Sequence, residues 1–542
     1  MGLADSGKRI ASEKLTSVQL PFSLMRILQA VDTRANASQE HPLAALAEET
    51  KKLLKKDSTM FMPILTLWDP RAIAISASLL HKLYGNKLKP FLDGAEHLTE
   101  DVVSVFPVAD GLEEYIMALI TSACEDEIVD AYCRGKLTSY EIESVSGTLV
   151  LRWVNSQLGR LLGCVDRAFQ QEQWDPISPQ QRHGTSIVEV YRIVEETVDQ
   201  FFALKVPMGP GELNSLFRGI DNAFQVYTKL IINSLVSKED LIPPVPILTR
   251  YKKELGIKAF MKKEVVDPRL PDERRSSQIN VLTTPKLCVQ LNTLHYAISQ
   301  LNSLEDNIRE QWALKRPREN FSIKRSLDKK SGSFIQKSTF DGTRKDINAA
   351  IDRICEFTGT KIIFWDLREP FIDSLYKPSV SQARLETILI DPLDTVLNQL
   401  CDVIVEALRD RIVTSLLQAS LEGLLRVVLD GGPSRLFFLN DAKFLEEDLE
   451  ILKEFFISGG DGLPRGVVEN QVSRVRHIIK LHGCETRVLI DDLKSTSSLE
   501  VQGARSKLGA DTQTLLRILC HRGDSEASQF LKKQYKIPRS SA

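Results

Sequence analysis

Apolar residues recur at every third or fourth position along most of this chain, and residues 393–493 show the pattern most plainly. Leu393, Val396, Leu397, Leu400, Val403, Ile404 and Leu408, continued by Ile412, Leu416, Leu417, Leu421, Leu424, Leu425 and Val428, fall on one helical stripe. Asp430-Gly431-Gly432-Pro433 then joins residues that tolerate left-handed backbone to an imino acid that cannot extend the ladder. The helix is therefore expected to stop near Leu429, with Gly431 at positive φ. Phe444, Leu445, Leu449, Leu452, Phe455 and Phe456 begin a second helix, which Ser458-Gly459-Gly460-Asp461-Gly462-Leu463-Pro464 ends. Val468, Val472, Val475, Ile478 and Ile479 line a third, up to Gly483. Helices alternating with tight turns predict an antiparallel bundle.

The same reading divides the rest of the chain. Residues 1–20 are polar and expected to be disordered, and 21–137 hold a bundle of short helices. Residues 138–246 form a second bundle, with a long helix from Tyr140 to Phe169, a stripe from Ile187 to Phe202, a turn at Pro207-Met208-Gly209-Pro210-Gly211 and a stripe from Leu213 to Ile231. In 247–392 a heptad-like seam runs from Leu287 to Ile308, followed by a basic loop over 315–345. Helical packing resumes at Ile347, apart from the apolar Ile362-Ile363-Phe364-Trp365. A C-terminal tail, 494–542, follows the 393–493 module. No internal repeat is visible by eye. The fold class this implies is all-α, an elongated rod of stacked antiparallel helical bundles.

A balance of 70 basic against 72 acidic residues gives a net charge of -2, so electrostatic recognition has to be local. The basic loop is the one such cluster, with Lys324, Arg325, Lys329 and Lys330 at its centre. It reads as a soluble linker, as an anionic-lipid contact, or, since few aromatics interleave, least of all as a nucleic-acid contact. No apolar run is expected to reach the roughly 18 to 20 residues that span a bilayer, which makes the chain soluble or peripheral. Met1-Gly2-Leu3-Ala4-Asp5-Ser6 fits the N-myristoylation pattern, a motif short enough to recur by chance. Eight dispersed cysteines without a CxxC pair read as reduced, buried and cytosolic.

Tests for chemistry return little. His477, His482 and Cys484 are the one close set of metal-ligand types, but their spacing does not share a helix face, so they read as helix-end residues and no metal is expected. Neither glycine-rich turn follows a strand or precedes the lysine and hydroxyl of a phosphate loop. Glu446-Glu447-Asp448 reads as a solvated helix start rather than as paired catalytic carboxylates. No enzyme activity and no cofactor are expected.

Gly359-Thr360-Lys361-Ile362-Ile363-Phe364-Trp365-Asp366-Leu367-Arg368, Leu408-Arg409-Asp410-Arg411, Asp430-Gly431-Gly432-Pro433-Ser434-Arg435 and Gly460-Asp461-Gly462-Leu463-Pro464 together resemble the plant Munc-homology proteins of the PATROL (proton-ATPase translocation control) type. In that resemblance Lys205 to Pro244 corresponds to the first Munc-homology module and Leu393 to Leu493 to the second. It implies a MUN-like helical rod, akin to vesicle-tethering subunits, that acts without catalysis in trafficking and exocytosis. The implied partners are SNARE or tethering-complex proteins such as exocyst, and the implied cargo is the plasma-membrane proton pump, notably in stomatal guard cells. The implied location is cytoplasmic, peripheral at endosomal or vesicle membranes and the plasma membrane. Family members are longer, and this chain resembles their C-terminal part. No binding residue is carried over. A generic helical interaction scaffold without a membrane role is the alternative.

Overall fold

The computed structural model describes residues 41–123 (apart from 61, 68 and 70), 138–250, 277, 279–315, 340–499 and 508–539. The expected disordered N-terminus, the Gly2 motif and Lys324, Arg325, Lys329 and Lys330 lie outside the described residues. The described elements are helical, with two isolated β-bridges, Arg250 to Arg539 and Phe437 to Arg522. The chain is all-α.

It divides into two compact units, one of residues 1–165, 190–224 and 303–340, the other of 166–189, 225–302 and 341–542. In the first unit α1 (Pro42–Met60), α2 (Ala72–Asp93) and α3 (Glu100–Ala123) pack on one another through Leu46, Leu54, Leu80, Tyr84, Leu88, Phe106, Leu112 and Ile116, all buried. The Tyr84 hydroxyl donates to the Leu43 carbonyl at 3.3 Å, so this large side chain is buried with its polar end satisfied. Further along, α4 (Ile142–Gln171), α5 (Thr185–Ala203) and α6 (Pro210–Asn233) follow the expected stripes. Within this unit Trp153 meets Phe201 at 6.4 Å between ring centroids, and Tyr191 meets Phe224 at 4.8 Å. Glu212 accepts the Gly209 amide at 2.8 Å, occupying a donor ahead of α6 that would otherwise lack a partner.

The heptad-like seam lies on α7 (Thr284–Lys315), where Leu287, Leu291, Leu294, Leu301 and Ile308 are buried. The basic segment is shorter than expected at both ends. Lys315 closes α7, and Arg344 and Lys345 already belong to α8 (Asp341–Lys361). Helical geometry also continues through Ile362-Ile363-Phe364-Trp365, as π turns over Ile362–Asp366 and Arg368–Ser374. The wider turn, closed by Leu367 donating to the Ile362 carbonyl at 2.7 Å, buries Ile362, Ile363 and Phe364 together.

Downstream lie α9 (Ile390–Val403), α10 (Glu406–Asp430), α11 (Asp441–Ile457), α12 (Arg465–His482), α13 (Thr486–Leu499), α14 (Thr512–Cys520) and α15 (Ser525–Gln534). The stripe expected to run unbroken from Leu393 to Val428 is in fact two helices. Ile404 and Val405 are extended, although no glycine or proline stands there. The break is made by a side chain more than a hundred residues away. Asn292 of α7 accepts the Val405 amide at 2.9 Å and donates to the Val403 carbonyl at 2.9 Å, while Arg182 donates to the Ile404 carbonyl at 3.1 Å. These side chains replace the lost ladder bonds. Contrary to the expectation that no apolar run is long enough to span a bilayer, α10 is long and apolar enough to cross one. It is mostly buried, with Leu417 and Leu424 both inside, and serves as the core helix on which α8 packs.

Candidate functional site

Three of the phrases that single this chain out as a sequence lie in the second unit on or beside the pair α8 and α10, and the fourth, Gly460 to Pro464, is the turn between α11 and α12. At Gly359 a Cβ would lie 2.6 Å from the Ser415 carbonyl oxygen, so the two helix backbones meet there. Two residues on, the ammonium of buried Lys361 donates to both oxygens of Asp366 at 2.7 and 2.8 Å, holding the start of the π turns. Trp365 Nε1 donates to Asn280 Oδ1 at 3.0 Å.

Arg435, the last residue of the Asp430-Gly431-Gly432-Pro433-Ser434-Arg435 phrase, is buried and gathers the ends of two elements. Its guanidinium donates to the carbonyls of Leu375 at 2.8 Å, Ile372 at 2.5 Å and Gly431 at 2.9 Å. A planar cation with several donors suits carbonyls left open at helix ends. The left-handed residue of this turn is Gly432, at φ 84°, and not Gly431, at φ -72°. Gly431 is needed for space instead, since a Cβ there would lie 2.3 Å from the Val427 carbonyl and 2.4 Å from Arg435 Cδ.

Glu446-Glu447-Asp448 is not a solvated helix start. Because α11 begins at Asp441, the three lie a turn or more inside it. Asp448 is fully buried, accepting Arg384 Nε at 2.7 Å and the Leu385 amide at 3.1 Å. Arg384 also reaches Glu447 at 3.1 Å and sits 5.0 Å from the Phe444 ring centroid. Glu446 accepts Arg476 of α12 at 3.0 Å. Arg476 and Lys453 share Glu469 at 3.0 Å each, and both bond Glu450, so α11 and α12 are joined by a ladder of alternating charge. Sequence reasoning misses these partners, because Arg384 and Asp448 stand 64 residues apart with no motif between them.

The remaining candidates separate. His482 is buried against Phe437, with ring centroids 4.9 Å apart, and burial, with Arg522 beside it, pushes its pKa down to about 3. A neutral imidazole packed in the core is its state. Cys484 is half-buried, its thiol 3.4 Å from the Lys480 carbonyl, and Gly509 rather than a metal ligand lies near His477. No group of three metal-ligating side chains occurs among the described residues. Cys288, Cys355 and Cys520 are buried, and desolvation raises each thiol to about 12, which makes them inert; Cys164, Cys401 and Cys484 are only half-buried. Lys315, at the near edge of the basic segment, donates to the Phe202 and Leu204 carbonyls, and burial lowers its pKa to about 8.

What this arrangement does is hold backbone ends at fixed distances with buried cations and close glycine contacts. That is a rigid framework. A family model described as "PATROL1-like, TPR repeats" matches residues 146–541. The repeats it names have no visible period in the sequence, and helices there range from 4 to 32 residues, which leaves no constant spacing to read. "Protein unc-13 homolog" of Arabidopsis thaliana is 68% identical over 534 residues, which is 98% of this chain and 48% of that protein. The chain thus spans about half the length of the curated relative it matches.

Proposed function

The chain belongs to the PATROL1-like family, and on that footing we propose that it is a non-enzymatic tethering or priming factor in membrane trafficking and exocytosis. The observation that carries this reading is the 68% identity to an Unc-13 homologue across nearly the whole chain. An all-helical framework held by buried ion pairs suits a part that positions partners rather than one that transforms a substrate. The cargo in this reading is the plasma-membrane proton pump, and the partners are SNARE or tethering-complex proteins. The protein would work from the cytoplasm at vesicle, endosomal and plasma membranes, with Lys324, Arg325, Lys329 and Lys330 as an anionic-lipid contact.

The test compares a packing lesion with lesions in the candidate chemistry. Leu424 is buried on α10, so Leu424→Asp places an unpaired carboxylate in the core, which costs several kcal/mol. In cells lacking the endogenous protein, this variant should leave surface proton-pump levels uncorrected, whereas His477→Ala and Cys484→Ala should restore them, all at matched protein abundance. Loss of delivery in either of the latter with the fold intact would reopen a chemical site. Full delivery without any form of the protein would leave the generic scaffold reading.

A further inference from the structure

Between α1 and α2 the chain turns through Met60, a short helical piece at Met62–Leu65, and Leu67. Met60 is 56% exposed, Ile64 61% and Leu67 83%, three large apolar side chains within eight residues of one turn. Isolated exposed apolar residues need no explanation, but a cluster at the tip of a helical hairpin does. The face of α1 that leads to it is basic. Lys52, Lys56 and Met60 stand four residues apart and so share one side of the helix, and Lys55, Lys56 and Lys52 are all exposed.

The nearby acids offset these cations only in part. Asp69 is buried and bonded twice to Arg71 at 3.1 Å, and Asp57, which accepts the Ser76 hydroxyl at 2.9 Å, sets one carboxylate against the two exposed lysines Lys55 and Lys56. Glu49 pairs with Lys52 at 3.0 Å, while Lys51 turns inward to the Gly111 carbonyl. Glu48 lies a further turn back from the tip. Lys55 and Lys56 therefore set the charge beside the apolar cluster.

We infer that the Met60, Ile64 and Leu67 tip, with Lys55 and Lys56 behind it, is a docking site for a bilayer carrying anionic headgroups. The charge and its order along the helix axis select this occupant. By helical rise Lys56 lies ~6 Å behind Met60 and Lys52 ~12 Å behind it. Apolar groups entering a membrane interface sit about 5–10 Å deep, which would bring the Lys56 ammonium to the phosphates as the tip enters the acyl boundary. A flat protein partner would instead meet apolar and charged groups side by side. The surface is distinct from Lys324, Arg325, Lys329 and Lys330, and the inference holds whether or not the trafficking reading does.

The test is flotation of the full chain with vesicles of phosphatidylcholine alone and of equal parts phosphatidylcholine and phosphatidylserine. The parent should float with the anionic vesicles and far less with the neutral ones. Each lysine at an anionic surface is worth about fivefold in binding, so Lys55→Gln with Lys56→Gln should weaken it ~25-fold at low salt. Ile64→Asp with Leu67→Asp should weaken it at least about tenfold with helicity unchanged. Parent-like flotation of the Ile64 and Leu67 double variant overturns the inference. So does a change in self-association without a change in flotation, which would assign the tip to a second copy. Loss of flotation on replacing Lys324, Arg325, Lys329 and Lys330 by alanine, with the tip variants unaffected, overturns it in favour of the basic segment.

Discussion

Asp448→Ala separates a buried hub from an ordinary acidic surface. The carboxylate is fully buried and holds Arg384 at 2.7 Å and the Leu385 amide at 3.1 Å. Breaking a buried ion pair from one side costs about 3–5 kcal/mol, because the remaining charge is left desolvated. Arg384 keeps 20% of its side chain exposed and retains Glu447 and the Phe444 ring, so the lower end, about 3 kcal/mol, applies here. Glu447, with 61% of its side chain exposed, is the internal control, and Glu447→Ala should cost less than ~1 kcal/mol.

The assay is urea unfolding followed by circular dichroism, with the midpoint converted to free energy through the measured slope. A third variant tests the cause rather than the size. Replacing both partners by apolar residues, Arg384→Met with Asp448→Leu, removes the charges together and should recover part of the loss, the Leu385 amide staying unpaired. Equal losses for Asp448→Ala and Glu447→Ala would refute the hub and restore the solvated helix start. A double variant no better than Asp448→Ala would show that the geometry of the bonds, and not an abandoned charge, carries the effect.

Other outcomes follow from single contacts. Gly359→Ala should cost about 1–3 kcal/mol in thermal unfolding, since its Cβ meets the Ser415 backbone, whereas Gly466→Ala, on α12 with open space around it, should be neutral or stabilise by up to ~1 kcal/mol. Gly431→Ala should destabilise through the Val427 carbonyl despite its ordinary φ, and a neutral result in the same measurement would dismiss that contact. His482 has a native pKa near 3 against an ordinary 6.5, so only the unfolded chain takes up its proton as pH falls from about 6.5 towards 3. Stability present above pH 6.5 should therefore decline by about 2 kcal/mol by about pH 5, and His482→Leu should remove that part of the slope in urea titrations at the two pH values. Asn292→Leu should raise amide exchange at Val405 and lower stability by about 1–3 kcal/mol for each group left unpaired; unchanged exchange there would show that Asn292 does not hold the break.

The helices that could be read from the sequence are those whose cause is local. On α10, α11 and α12 the three-and-four spacing of Leu416, Leu424, Leu449, Leu452, Val472 and Val475 matches burial because a helix stripe needs only its own residues to be recognised. The turn after α11 was legible for the same reason, with Ser458, Gly459 and Gly460 all at positive φ. The break at Ile404 and Val405 was not legible, since Asn292 and Arg182 impose it from elsewhere in the fold. Asp448 reads as solvated from the sequence because its partner is distant, and an acidic run looks the same whether it faces water or Arg384. In the Gly431-Gly432 pair the residue type announced a turn without saying which glycine bends and which merely makes room.

The family phrases thus mark places where the framework is held together: the Gly359 backbone at Ser415, the Arg435 guanidinium on three carbonyls, the Lys361 ammonium on Asp366. Substituting them perturbs any function through the fold, so loss of function at these positions cannot by itself locate a partner. A partner or membrane contact has to be sought among exposed residues whose replacement leaves helicity and unfolding midpoint unchanged. Ile64 and Leu67 meet that condition by their exposure, and Leu424 fails it. A variant set spanning both kinds would separate contact from framework: surface variants that lose vesicle binding at full stability identify a contact, and buried variants that lose everything together identify the scaffold that presents it.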